Sequence, residues 1–181
     1  MWNVLFLVGL ASLSAAKLQD MGRCNRVVAT DGFFNLTKFS EENKGIWTFV
    51  KVPASKNNME LKSMYLTTKA TKRPGQYHTI IYYKNKHDHE YKVFSDEDIS
   101  DSLSGHVLAV TRGNKKIEFK ISFLKYVPGR YAYYSICSEE GGDRKVDYRY
   151  VVSHGPLNSD EVADIRSLEA QYKFSGALKN I

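Results

Sequence analysis

The sequence predicts an all-β fold of eight antiparallel strands followed by one α-helix, and three observations carry that prediction. From Gly45 to Ser153 apolar and polar residues alternate with a period of two between clusters of turn residues, and no 3.6-residue apolar stripe lasts for a dozen positions. After Pro156 the pattern changes to helical spacing. The 181 residues, 43% apolar and 25% charged with four prolines, suit one ordered globular domain and exclude a disordered, collagen-like or repeat chain. At this length folding hides roughly two-thirds of the surface of the unfolded chain, so the core requires no cofactor or metal for its stability.

An export signal is expected over the first sixteen residues. Residues 1 to 16, MWNVLFLVGLASLSAA, hold an apolar heart ending at Leu13, with small residues at Ser14 and Ala16 spaced for signal peptidase, so cleavage is expected after Ala16. Residues 17 to 181 then form a single secreted, extracellular domain that keeps the full net charge of +6, because the first sixteen residues carry no charged side chain. The apolar run is too short to span a bilayer of about 30 Å, and no second run of that length follows, so no membrane span is expected. In an oxidising compartment the two cysteines, Cys24 and Cys137, are read as one structural disulfide. Closing so long a loop stabilises by up to about 4–5 kcal/mol in the chain-entropy description. Asn35-Leu36-Thr37 is a sequon, which makes Asn35 a glycosylation site on a secreted chain.

The strands follow in order near 45–53, 60–71, 76–85, 90–95, 105–112, 115–125, 130–138 and 145–153. Turns are read at Lys72-Arg73-Pro74-Gly75, Asn85 to Asp88, the acidic Ser95 to Asp101, Arg112-Gly113-Asn114, Val127-Pro128-Gly129 and Glu140 to Asp143. The sixth strand is the plainest: Ile117, Phe119, Ile121 and Phe123 share one face and Lys116, Glu118, Lys120 and Ser122 the other. The helix is expected over about 159–174. Ser159 caps it, Asp160 and Glu161 meet the positive end of its dipole, and Val162, Ile165, Leu168 and Tyr172 dock it outside the sheet. Eight antiparallel strands form a sandwich or a closed barrel, and closure removes exposed edges.

Three segments resemble the lipocalin family. Phe33 to Phe39 ahead of Gly45-Ile46-Trp47 looks like its entrance helix and G-x-W. Tyr131-Ala132-Tyr133-Tyr134-Ser135-Ile136-Cys137 resembles its Y-A-x-x-Y-x-C strand. Val146 to Ser153 followed by Gly155-Pro156-Leu157 is similar to its last barrel strand and exit. The resemblance covers most of the chain after residue 16 and is nearest to insect bilin-binding and apolipoprotein D-like members. It implies an eight-stranded up-and-down β-barrel with the helix packed outside, and a carrier for a fatty acid, pheromone-like lipid or bilin. Two positions depart from the family: Leu124-Lys125-Tyr126 stands where T-D-Y is common, and His154 where an arginine covers the G-x-W tryptophan. Gly45, Trp47 and His154 are accordingly structural positions.

Chemistry beyond binding has little support. There is no G-x-S-x-G, H-E-x-x-H or P-loop, and no activated nucleophile, so no enzyme is expected. His87-Asp88-His89-Glu90 is read as a solvated turn rather than a metal site, and haem on a lone His78 or His106 is disfavoured. The pI of about 9.2 arises partly from Lys51, Lys56, Lys62, Lys69, Lys72 and Arg73 against Glu60 alone, opposite an acidic stretch of Asp96, Glu97, Asp98 and Asp101. Without a recognition motif this predicts no nucleic-acid partner, though lysines rimming a barrel mouth would attract an anionic head group. Aromatic residues make up 13% of the chain, and tyrosines on strands suit a cavity that combines burial with directed hydrogen bonds. The expected ligand-binding residues are Phe49, Ile117, Phe119, Phe123, Tyr133 and Tyr148; taking Trp47 as inward makes Lys51 inward as well. Bilin is a possible bound ligand and no cofactor is required. The chain is expected to be a monomer or weak homo-oligomer. A second reading is a secreted interaction protein on the same fold, a salivary antihaemostatic, inhibitor or amine scavenger. An amine scavenger would need inward carboxylates, and Asp147 and Glu118 are expected to face out.

Overall fold

The computed structural model describes residues 30–54, 61–100, 105–111, 118–138, 146–172, 174 and 176–181. The expected export signal at residues 1–16, Cys24, Lys56, Glu60, Asp101 and Ile117 lie outside the described residues. The chain enters through a short helix α1 (Leu36–Glu41) and a 3-10 turn (Glu42–Gly45). Eight strands follow: β1 (Ile46–Pro53), β2 (Leu61–Ala70), β3 (Gln76–Asn85), β4 (Glu90–Ser100), β5 (His106–Thr111), β6 (Glu118–Val127), β7 (Tyr131–Ser138) and β8 (Val146–Ser153). Helix α2 (Ser159–Tyr172) and a three-residue strand β9 (Leu178–Asn180) complete it. The all-β architecture with one late helix is as the alternation predicts. β4 corrects it in one place, because the acidic residues from Ser95 to Ser100 continue the strand instead of forming a turn. Their backbone is paired on both sides, to β3 and β5, and that pairing outweighs the low strand propensity of Asp and Glu.

From β1 to β8 every strand is antiparallel to the next in sequence, and β1 closes the curl by pairing with both β8 and β2. Thr48 pairs with Ser153 of β8 and with Tyr65 of β2, so those two strands occupy opposite edges of β1. Lys51 pairs with Val151 of β8 and Asn180 of β9, which puts β9 on the same edge as β2, farther along. The seam between the first two strands is therefore closed by β2 at one end and by β9 at the other.

Two apolar layers share the sheet. The inner face packs Trp47, Phe49, Val52, Leu66, Tyr77, Val107, Ile121, Phe123, Tyr134 and Val152 with Leu36 and Phe39 of α1. The outer layer, between sheet and α2, holds Leu124, Tyr131, Tyr133, Val151 and Ile165, with Leu168 and Tyr172 against them. The helix is capped by Asn158 rather than Ser159: Asn158 Oδ1 accepts from the Glu161 amide at 2.9 Å, and Glu161 Oε2 accepts from the Asn158 amide at 2.9 Å. This reciprocal capping box satisfies two donors that the helix itself leaves unpaired.

Candidate functional site

One end of the barrel is shut from the sequence upward. Asn35, exposed, caps α1 by accepting from the Lys38 amide at 3.0 Å. α1 then swings Leu36 and Phe39 into the interior, and Thr37 Oγ1 meets Tyr77 Oη at 2.6 Å to tie the helix to β3. Gly45, at φ +76°, turns the chain into β1 so close to β2 that a Cβ there would lie 2.0 Å from the Thr68 carbonyl oxygen. Trp47 is fully buried. Its indole N–H donates to the Phe39 carbonyl at 2.9 Å, with the Phe39 ring on one side (centroids 4.5 Å, 6°) and His154 on the other (3.7 Å). Tyr126 Oη donates to Glu42 Oε1 at 2.9 Å; burial and that carboxylate push the phenol pKa well above its ordinary value.

Above this plug lies an apolar cavity of about 30 Å³ that is partly open to solvent. That exceeds the roughly 10–15 Å³ that one water needs, so a slender void remains among the packed side chains of the interior. Its walls are Leu36, Phe39, Leu66, Thr68, Thr79, Ile81, Val107, Ile121, Phe123, Tyr134 and Ile136. The two threonines bond to each other, Oγ1 to Oγ1 at 3.0 Å, which leaves the lining effectively apolar. Toward the mouth the inner face becomes aromatic: Tyr83 stacks on Tyr91 at 5.0 Å, and Tyr150 sits between Phe49 and Tyr148.

The residues singled out in the sequence fall in different places. Phe123 lines the cavity, and Phe49 and Phe119 belong to the inner layer beside it. Tyr148 follows the inner parity of Tyr150 but is 43% exposed, at the mouth. Tyr133 does not face inward: it is buried in the outer layer, where its hydroxyl donates to Glu169 of α2. Tyr134, one residue on, takes the inner position. Lys51 also faces out, its Nζ donating to Asn180 Oδ1 at 2.7 Å. The cause is a register shift between Phe49 and Lys51, after which Val52 rather than Lys51 returns to the inner layer.

The basic residues do not ring the mouth either. Lys69, Lys72 and Arg73 lie at the β2–β3 turn, at the plugged end where Thr67 pairs with Ile46. Lys62 is at the mouth but shares Asp88 with Lys84, at 2.6 and 3.4 Å, and the two lysines hold that carboxyl below the usual range. In the same turn Asn85 Oδ1 accepts from the amides of His87 and His89. Among the described residues no three His, Cys, Asp or Glu side chains gather to hold a metal. His78 pairs with Lys69, and His106 Nδ1 lies 3.0 Å from Ser122 Oγ; both stand on the outer face, away from the cavity. Among the described residues, no helix is long and apolar enough to cross a membrane.

No protein-family model matches the sequence, and no curated protein matches it. Solved structures do match. The cockroach allergen Per a 4 superposes with a TM-score of 0.62 at 10% identity, over 83% of this chain and 88% of that one. Insecticyanin from the tobacco hornworm Manduca sexta gives 0.59 at 12%, over 81% and 77%. Both are lipocalins, as is the siderocalin Ex-FABP, which gives 0.56 at 9% over 76% and 87%. The chain has the lipocalin fold. Within that fold the plug of Trp47, Phe39 and His154 closes the base of the barrel, and the cavity with its aromatic mouth occupies the rest. Sequence reasoning missed Leu66, Thr68, Thr79, Ile81, Val107 and Ile136 as lining residues. Cross-strand register would have found them, since Trp47, Leu66 and Ile81 stand opposite one another across three strands.

Proposed function

We propose that this protein is a secreted carrier that takes a small hydrophobic molecule out of water into its barrel. The observation that carries the reading is the cavity: an apolar void above a sealed base, open toward a mouth of tyrosines. Burying about 300 Å² of ligand surface contributes several kcal/mol at about 25 cal/mol per Å², from which the cost of association is subtracted. The narrowness of the void favours a flexible chain, a fatty acid or pheromone-like lipid, over a broad planar bilin. Secretion rests on the signal at residues 1 to 16, and with it a Cys24–Cys137 disulfide; Cys137 lies on β7, and no described cysteine is free. Asn35 is exposed beside the plug, where a glycan leaves the mouth clear.

Native mass spectrometry of the purified protein, before and after organic extraction, tests the carrier reading. A released small apolar molecule whose return restores the original mass supports it. A protein that is empty when purified and that takes up neither dodecanoate nor dodecanol refutes it, and leaves the interaction protein working by its outer surface.

A further inference from the structure

The inner face of the barrel carries a cation that the alternation of the eight main strands does not disclose. β9 runs along β1 with Lys179 opposite Val52 and Asn180 opposite Lys51. Directly opposed residues of an antiparallel pair share a face, and Val52 is a fully buried member of the inner layer. The neighbours of Lys179 fix the same parity independently: Ile181 packs against the inner layer and Leu178 against the outer one. Lys179 is therefore on the inner side of the seam, in the stretch of β1 beyond the one that pairs with β2, toward the mouth and away from the plug. Among strand positions on that face whose side chains are described, it alone carries a charge, and it makes no ion pair with a described residue. Three other lysines near the mouth have partners outside the cavity, Lys51 with Asn180 and Lys62 and Lys84 with Asp88.

Taking the carrier reading as given, we propose that Lys179 receives the anionic head of the ligand, so that the protein selects a single-chain amphiphile with a carboxylate or similar anion over a neutral lipid of the same length. The apolar chain lies along the void between Leu66, Ile81, Phe123 and Ile136, and the head stays at the partly hydrated seam, where an ammonium is not forced out of water to meet it. A cation at that depth favours an anion without closing the cavity to the chain.

Displacement of a bound naphthylamine dye by dodecanoate and by dodecanol tests this in wild type, Lys179→Met, Lys179→Arg and, as the control on the outer face, Lys51→Met. The expected result is that Lys179→Met weakens dodecanoate at least tenfold and leaves dodecanol within twofold, while Lys179→Arg and Lys51→Met keep the wild-type preference. An unchanged dodecanoate-to-dodecanol ratio in Lys179→Met, with both still bound, overturns the head-group role alone. Failure of wild type to bind either compound overturns the carrier reading and this assignment with it.

Discussion

The His154 imidazole covers the Trp47 indole at 3.7 Å between ring centroids, and its Nε2 stands 3.8 Å from Glu42 Oε2. Among the described residues, neither ring nitrogen nor that carboxylate oxygen, all three buried, has a hydrogen-bond partner. Burial lowers the His154 pKa, more than Glu42 raises it. The folded protein thus binds this proton less readily than the unfolded chain, so stability is full above the ordinary imidazole value of about 6.5 and falls as pH drops past it. The fall ends once the pH is below the folded value. His106, lowered by burial and by Lys120, acts in the same direction. Urea midpoints measured from pH 7.5 to 5 should decline, and His154→Phe, which keeps a ring on Trp47, should flatten part of the slope. A wild-type midpoint independent of pH over that range would contradict the assignment.

Gly45→Ala should be among the most damaging single changes. The residue sits at φ +76°, and the added methyl would meet the Thr68 carbonyl oxygen at 2.0 Å, with Ser40 O at 2.8 Å. Backbone strain of about 1–3 kcal/mol adds to the displacement of β2. A melting temperature within two degrees of wild type would show that the turn relaxes without cost.

Arg149 is almost wholly buried on the outer face, paired with Glu169, donating to the Gly176 carbonyl at 2.8 Å and lying 4.8 Å over the Phe174 ring. Glu169→Ala leaves that guanidinium without its counter-charge and also strips Tyr133 of its acceptor. Because Glu169 is partly exposed, the loss should be about 2 kcal/mol, at the low side of a broken buried pair. The double variant Arg149→Leu/Glu169→Leu should cost less than the sum of its single changes. Strict additivity in denaturant titrations would argue against a coupled pair.

Val107→Phe should fill the cavity and leave the fold standing. Val107 is fully buried in the lining, so a larger ring costs about 1–3 kcal/mol of packing strain but takes the space a ligand chain requires. Uptake of dodecanoate should drop at least tenfold while the far-ultraviolet circular dichroism is retained. Undiminished uptake by a folded variant would place the ligand elsewhere.

Strand order and most strand limits were legible because the alternation in β3, β6 and β8 is long and bounded by Gly, Pro and Asn. Parity was harder. β7 reads Tyr-Ala-Tyr-Tyr because both of its faces are covered, one by the cavity and one by α2, so hydrophobicity alone does not distinguish Tyr133 from Tyr134. In β1 a single register shift reverses Lys51 and Val52, and in β6 another, between Phe123 and Lys125, sends Lys125 out and Tyr126 in. β9 left no pattern to read, since Leu178-Lys179-Asn180 is a strand only because the free edge of β1 supplies its partners. The inner cation was hidden for the same reason.

The two tyrosines of β7 that face α2 donate to Asp164 and Glu169, while Ala132 and Tyr134 of the same strand border the interior. One ribbon of backbone is thus the common wall between two packed compartments. If a ligand's contact with Tyr134 changes the seat of the helix, reciprocity requires that whatever loosens the helix changes the ligand's affinity by the same factor.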